Sequence, residues 1–360
     1  MNPGSLVRAA RLGAAAWAIA RLVRTGLDRR HAGVLGDAEP PEGTVITIVI
    51  PARDEAERIG PLLDAVVGAP GVARVIVVDD ESSDATADVA QRRGASVVTG
   101  VRRPIGWAGK TWALEQGVRA AAGEWIVLLD ADVRPAPGLP ARLVAQAIRD
   151  DVDLVSVATV ATLSPAARAL HASMLATLVY RFGGPGSAHR GRLLANGQCL
   201  AVRRRVLDDI GGFASVADHV VEDVALARRA VDHGWDVAFL DAGVDATVEP
   251  GSWTDVWSGW GRSIGLPGVE SRHRIVLDAS LLVLTMPLPL WRTLRGRSDA
   301  LDVCLLAMRL GVAAGTRRAY RPAGVPIWVA PFLDAAAIAL VGRAAVRRRV
   351  TWRGRRIPIR

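Results

Sequence analysis

The stretch Trp125–Pro135, WIVLLDADVRP, decides the fold of this 360-residue chain. Five apolar residues run without polar alternation and close on two aspartates, Asp130 and Asp132. Such a run predicts a strand buried on both faces, as in a parallel sheet. A carboxylate at its end costs stability unless it has a partner, and the carboxyl edge of an open α/β sheet is where ligands bind. The Asp-x-Asp spacing sets both carboxylates on one face of an extended segment, an arrangement suited to a divalent cation.

Working outward, two further stretches repeat the theme: VIVVDDESSDAT (Val75–Thr86) and VVEDVALARRA (Val220–Ala230). The first is a buried strand ending in carboxylates. The second opens a helix on Glu222 and Asp223. Upstream, TVITIVI from Thr44 predicts a strand closed by Pro51, and DEAERIGPLLDAVV a helix. VARVIVVDD is a second strand, and SSDATADVAQRRG a helix with Ser/Asp caps, Ser82 and Ser83 among them, stopped by Gly94. ASVVTG is a short strand, and GKTWALEQGVRAAAG a helix before the Trp125 strand. Further strands are DLVSVATVATL, CLAVRR, DVAFLDA and VDATVE, and Gly183–Arg192 reads as a mobile basic loop. This alternation predicts a parallel doubly wound sheet. The first strand leads into PARDEAE, not GxGxxG, which disfavours a dinucleotide fold.

Hydrophobic residues make up 50% and charged residues 22%, with mean hydropathy +0.23. That balance suits an α/β domain attached to apolar segments better than a polytopic transporter. The net charge is +9, and Lys110 is the only lysine among 45 basic residues. The arginines flank apolar stretches and do not alternate with aromatics, which favours anionic lipid over nucleic acid. Cys199 and Cys304 fit no metal pattern and are expected to be reduced, buried thiols.

Residues 1–36 read as an amphipathic or anchor helix around Leu6–Leu27, and Asp37–Gly43 as a linker. Three apolar runs follow Ile275: Ala279–Trp291, Ala300–Ala314 and Val325–Gly342. All are marginal for a span, and arginine flanks each end, whereas simple crossings would deplete alternate flanks. Interfacial helices or a re-entrant hairpin therefore stand beside true spans. The expected domains are 1–36, a catalytic domain 44–265, apolar membrane-associated helices 275–345 and a basic tail 346–360. The expected location is the cytoplasmic membrane, with the catalytic domain facing the cytosol.

With these motifs in order, the chain resembles the inverting family-2 glycosyltransferases of GT-A fold, the nucleotide-diphospho-sugar transferase fold. The nearest branch is the bacterial membrane-associated one that includes hopanoid-associated and carotenoid glycosyltransferases. The resemblance covers roughly Thr44–Ile264. It implies a doubly wound α/β sheet with apolar, membrane-associated terminal helices. It also implies a UDP- or GDP-sugar donor, Mg2+ or Mn2+, a lipid acceptor of isoprenoid, carotenoid or hopanoid type, and no nucleic-acid partner.

Residue by residue, the resemblance places Pro51, Arg53 and Glu55 against the base and ribose, and Asp80 on the nucleoside. It places Lys110, in GWAGKTWAL, on the diphosphate, Asp132 on the metal, and Asp130 on ribose or metal-bound water. Asn196 and Gln198 would face the acceptor. Asp223 would be the general base, with Glu222 positioning it. In WSGWGRSIG, Trp257 and Trp260 would stack on a sugar and Arg262 would clamp the diphosphate. The glycine often found after the second Asp of the Asp79–Asp80 pair is Glu81 here, a departure from the pattern. The Q-x-x-R-W signature of processive relatives is missing, which favours transfer of a single sugar. Competing readings are a non-catalytic nucleotide-sugar-binding membrane protein, a transferase with a soluble acceptor, and a nucleotidyltransferase. The last usually carries a Gly-rich loop where PARDEAE stands.

Overall fold

The computed structural model of the chain describes residues 3–27, 35–186, 190–241, 243, 245–248, 252–347, 349–352 and 355–358. The end of the N-terminal segment (28–34), residues 187–189 of the expected basic loop and residues 353–354 and 359–360 of the C-terminal tail lie outside the described residues.

In chain order the elements are α1 (Pro3–Leu27), β1 (Ile46–Ala52), α2 (Ile59–Val66), β2 (Val72–Asp79), α3 (Thr86–Arg92), β3 (Ser96–Thr99), α4 (Gly109–Ala120), β4 (Trp125–Leu129) and β5 (Val133–Pro135). Next come α5 (Leu139–Arg149), β6 (Leu154–Ala158), β7 (Val160–Ala161), α6 (Pro165–Phe182), β8 (Cys199–Arg203), α7 (Arg204–Ile210), α8 (Glu222–Asp232), β9 (Val237–Asp241) and β10 (Ala246–Val248). The remainder are α9 (Trp253–Ser263), α10 (Arg272–Thr285), α11 (Pro287–Leu294), α12 (Ala300–Thr316), α13 (Pro326–Val329), α14 (Asp334–Val346), β11 (Arg349–Trp352) and β12 (Arg355–Pro358).

The chain divides into two compact units. Unit 1 gathers residues 1–29, 162–184 and 250–347, and unit 2 gathers 30–161, 185–249 and 348–360. Helices α6 and α9 lie inside the 44–265 span expected to be one catalytic domain, yet they cluster with unit 1.

Unit 2 is built on a seven-stranded sheet ordered β3-β2-β1-β4-β8-β6-β9. Its apolar strands bury almost completely; Ile46, Ile48, Ile50, Trp125, Val127 and Leu129 are fully enclosed in one core. The sheet is not wholly parallel. β8 runs antiparallel to both neighbours, pairing Leu129 with Cys199 and Val155 with Ala201. Its sequence, CLAVR, carries the same buried-strand signature in either direction, so only the path of the chain sets its sense. The consequence is functional: the start of β8 lies beside the carboxyl end of β4.

Helix α4 packs directly on β1. A Cβ at Gly117 would fall 2.3 Å from Val49 Cγ1, so only glycine permits this approach. A second, three-stranded sheet (β5-β10-β7) supports the segment after Asp132. The expected basic tail forms an antiparallel pair, β11–β12.

Three local expectations change. The helix predicted from Asp54 starts only at Ile59, because Asp54 takes φ 53° and its carboxylate accepts from Ser83 N and Oγ. Ser82 and Ser83 do not cap α3; they bond Asp54, while Asp84 Oδ1 accepts from Thr86 N at 3.0 Å. Cys304 is exposed, not buried, while Cys199 is buried as expected. Helices α5 and α6 have no counterpart in the sequence-based reading. The apolar residues of α6 form no stripe to mark it.

Unit 1 is helical and buries several charged side chains. The Arg309 guanidinium grips Asp334 through two 2.8 Å bonds, both residues being almost fully buried, and Ser173 Oγ donates to Asp334 Oδ1 at 2.6 Å. Removing one partner strands a buried charge. Asp334→Ala should therefore cost about 3–5 kcal/mol and lower the melting temperature, whereas Arg309→Met/Asp334→Leu together should recover most of it. A thermal melt in which Asp334→Ala matches the parent chain would show the pair to be structurally idle.

Candidate active site

Four segments of unit 2 converge at the carboxyl edge of the sheet: the turn after β4, the start of α4, the turn into β8 and the start of α8. Lys110, in the first turn of α4, reaches Asp130 Oδ1 at 2.8 Å and Glu222 Oε1 at 3.0 Å. Asp223 accepts from the backbone N–H of Gly197 at 2.7 Å and of its own neighbour Val224 at 2.8 Å. Leu114, Leu128, Leu200, Phe213 and Leu226 line the apolar wall around Glu222 and Asp223.

This packing sets the proton affinities. Burial pushes Asp130 up to about 6; Lys110 opposes that shift and nearby Asp132 adds to it. Burial likewise raises Glu222 and Asp223 above the usual carboxylate range, against the pull of Lys110. Burial alone would lower Lys110, but Asp130, Glu222 and Asp223 overcome it and hold the ammonium above the ordinary lysine value. The cluster is thus three carboxylates sharing one cation. A raised carboxylate beside a reacting centre suits proton transfer.

The turn into β8 ties this cluster together. Gly197 donates to Asp223, and one residue on, Gln198 O accepts from Asp130 N at 3.1 Å. A Cβ at Gly197 would lie 3.1 Å from Lys110 Nζ and 3.2 Å from Asp223 Oδ2, so the backbone itself fills this space. Asn196 and Gln198 are held by an internal knot. Asn196 Nδ2 donates to Val157 O at 3.1 Å and to Gln198 Oε1 at 3.2 Å, and Thr159 Oγ1 donates to Gln198 Oε1 at 2.7 Å. The sequence reading missed Ser156, Thr159 and Gly197. Only Asn196–Gly197, a turn dipeptide ahead of a strand, offered a signal.

A second group joins the loops after β1 and β2. Pro51 and Ala52 still belong to β1, with Pro51 paired to Val78. Arg53 Nη1 donates to Asp80 O at 2.8 Å, and Glu55 N donates to Thr86 Oγ1 at 2.9 Å. Asp80 is buried, at 1% exposure, and Glu55 pairs with Arg58 at 2.8 Å. Glu81 adopts φ 56°, the left-handed conformation a glycine takes freely, at a cost of roughly 1 kcal/mol. The turn is kept without the glycine.

Asp132 makes no hydrogen bond or ion pair with any described residue, while Asp130 one position away is held by Lys110. One free carboxylate beside one tethered carboxylate fits a divalent ion that draws its other ligands from diphosphate and water. Among the described residues no preformed cage of three or more His, Cys, Asp or Glu exists.

Trp257, Trp260 and Arg262 lie on α9 in unit 1. There Trp260 packs edge-on against His171 of α6, ring centroids 4.6 Å apart, and His171 Nδ1 bonds Tyr320 Oη at 2.8 Å. Burial lowers His171 to about 4. Its folded value lies below the ordinary 6.5, so the unfolded chain binds the extra proton between those values and stability falls as pH drops from 6.5 toward 4. Melting temperatures measured across that range should fall less steeply in His171→Gln than in the parent chain.

A doubly wound sheet with an Asp-x-Asp turn, a lysine-headed helix and an acidic helix start at its carboxyl edge has the architecture of the GT-A fold. Residues 40–263 match the family described as "Glycosyltransferase like family 2", and the chain belongs to that family. The 4,4'-diaponeurosporenoate glycosyltransferase of Staphylococcus aureus (strain USA300) is 46% identical over 89 residues, 24% of this chain and 24% of that protein. The chain thus aligns with about a quarter of the curated relative's length. A mannosyltransferase from Pyrobaculum calidifontis, solved in complex with GDP-Man and Mn2+, superposes with a TM-score of 0.57 at 18% identity. That match covers 94% of this chain and 99% of the mannosyltransferase, and the likeness is one of fold.

Proposed function

We propose that the chain transfers a single sugar, with inversion and metal dependence, from a nucleoside-diphosphate sugar to a hydroxyl or carboxyl of a membrane lipid of isoprenoid, carotenoid or hopanoid type. The observation that carries this reading is the cluster of Asp130, Glu222 and Asp223 around Lys110, with Asp132 free beside it. Asp223 takes the acceptor's proton while the acceptor oxygen attacks the anomeric carbon and the bond to the nucleoside diphosphate breaks. Glu222 and Gly197 hold Asp223 in place. A divalent ion bound by Asp132, with Asp130, would neutralise charge on the departing diphosphate. Lys110 supplies a second positive charge to that leaving group, and Arg53, Glu55 and Asp80 receive the nucleoside.

Asn196, Gln198, Trp257 and Trp260 are the proposed acceptor contacts, and Arg262 a diphosphate contact. The short alignment with a carotenoid glycosyltransferase and the apolar helices of unit 1 support a lipid acceptor at the cytoplasmic membrane, with unit 2 in the cytosol. The test is to incubate the purified chain with radiolabelled UDP- and GDP-sugars, Mn2+ and a bacterial lipid extract. Label should enter the organic phase on one product. Label released only as free sugar, or found only on water-soluble products, would refute the lipid acceptor.

A further inference from the structure

Unit 1 inverts the usual distribution of polarity. All but three of the exposed large hydrophobic side chains among the described residues belong to it, the exceptions being Val45, Val101 and Ile105. Its described acidic residues, apart from Asp255 and Asp299, are buried: Glu270, Asp278, Asp302 and Asp334. Each of the last three is paired. Asp278 meets Arg181 at 3.2 Å, Asp302 meets Arg11 at 2.6 Å and Arg292 at 2.8 Å, and Asp334 meets Arg309.

Helix α12 shows the pattern on one element. Asp302 and Arg309 point inward, while Val303, Cys304, Ala307, Leu310, Gly311 and Ala314 form the exposed face. The charged residues exposed around these apolar faces are mostly arginines, among them Arg272, Arg295, Arg297, Arg317, Arg318 and Arg343. In water this arrangement is unfavourable, since it exposes apolar surface and buries charge. In lipid it is the favourable one, because the apolar faces meet acyl chains and the inward aspartates are paired.

Two segments, Arg272–Leu294 and Pro326–Val346, are long and apolar enough to cross a bilayer by length and composition. Neither is one uninterrupted α-helix. Pro287 opens α11 after α10, and a 3-10 turn at Ala330–Leu333 precedes α14. At 1.5 Å per residue α10, α12 and α14 extend only about 20–25 Å, short of a hydrocarbon core of about 30 Å. Cationic flanks at both ends of the runs give no cation-poor side for an outer face.

We propose that unit 1 inserts into a single leaflet of an anionic bilayer as a preassembled bundle, its apolar faces among acyl chains and its rim arginines at the headgroups. The Arg181–Asp278, Arg11–Asp302 and Arg309–Asp334 pairs are the internal locks that let charged helices enter lipid. This deepens the proposed membrane location but rests on unit 1 alone.

Cys304 provides the probe. It is exposed on the apolar face of α12, whereas Cys199 is buried and burial pushes its thiol up to about 12, which leaves it unreactive. The purified full chain, labelled at Cys304 with a bimane, is titrated with phosphatidylglycerol-containing vesicles in the absence of any nucleotide or acceptor. The expected result is a blue-shifted emission, loss of quenching by aqueous iodide, and strongest quenching by bromines placed shallow in the acyl chain. Pure phosphatidylcholine vesicles or high salt should weaken binding several-fold, as should Val303→Glu, an exposed change that leaves the internal pairs intact.

Three results would overturn the proposal: a label that stays water-accessible with vesicles present, deepest quenching at the bilayer centre, or a shift produced by self-association without lipid. Because the assay contains no donor or acceptor, its outcome is independent of the transferase reading. A transferase failure alongside normal vesicle binding would isolate the fault to the active site.

Discussion

Asp223→Asn should bind donor as the parent chain does and turn over about 10²–10⁴-fold more slowly, the range for removal of a general base. The substitution keeps the shape of the side chain. It retains one of the two backbone bonds that Asp223 accepts from Gly197 and Val224, since an amide offers a single acceptor oxygen. Losing the other costs about 1 kcal/mol, too little to unfold the unit. What the amide cannot do is take a proton from an incoming hydroxyl. Glu222→Gln should have a smaller effect, because Glu222 is paired with Lys110 and its proposed role is to place its neighbour. Titration of nucleotide-sugar binding and single-turnover transfer separate the two steps. If Glu222→Gln abolishes turnover and Asp223→Asn does not, the roles are exchanged.

Asp132→Ala should lose metal-dependent donor binding and, with it, transfer. Asp132 makes no bond to any described residue, so its removal disturbs no packing and the melting temperature should hold. Without it the diphosphate must approach Asp130 directly, and like charges at that range repel. The parent chain in excess chelator should fall to the level of the variant, and Mn2+ should restore the parent alone. Full transfer by Asp132→Ala, or by the parent chain in chelator, would remove the metal from the mechanism.

Much of this molecule was legible in its sequence, for local reasons. Buried strands announce themselves as unbroken Val/Ile/Leu runs, and β1, β2 and β4 lie where those runs lie. Asp130 and Asp132 were legible as candidates because a carboxylate at the end of such a run costs stability unless it has a partner. Glu222 and Asp223 were legible as an acidic helix start in the right order. By contrast, α6 was illegible because its apolar residues form no stripe, and a buried arginine such as its own Arg181 looks in sequence like a surface one.

The sequence by itself determined the class of fold, the order of the motifs and the identity of most residues in the carboxylate cluster. Those are properties of single segments, written in periodicity and in the cost of placing charge at a strand end. Only the tertiary structure decided the antiparallel sense of β8, which carries Gly197 to Asp223 and Gln198 to Asp130 and makes one cluster of four distant segments. It also decided which arginines meet which aspartates inside unit 1. A strand's hydrophobic run reads the same in either direction, and an ion pair between residues far apart leaves no periodic trace, so neither can be read before the chain has folded.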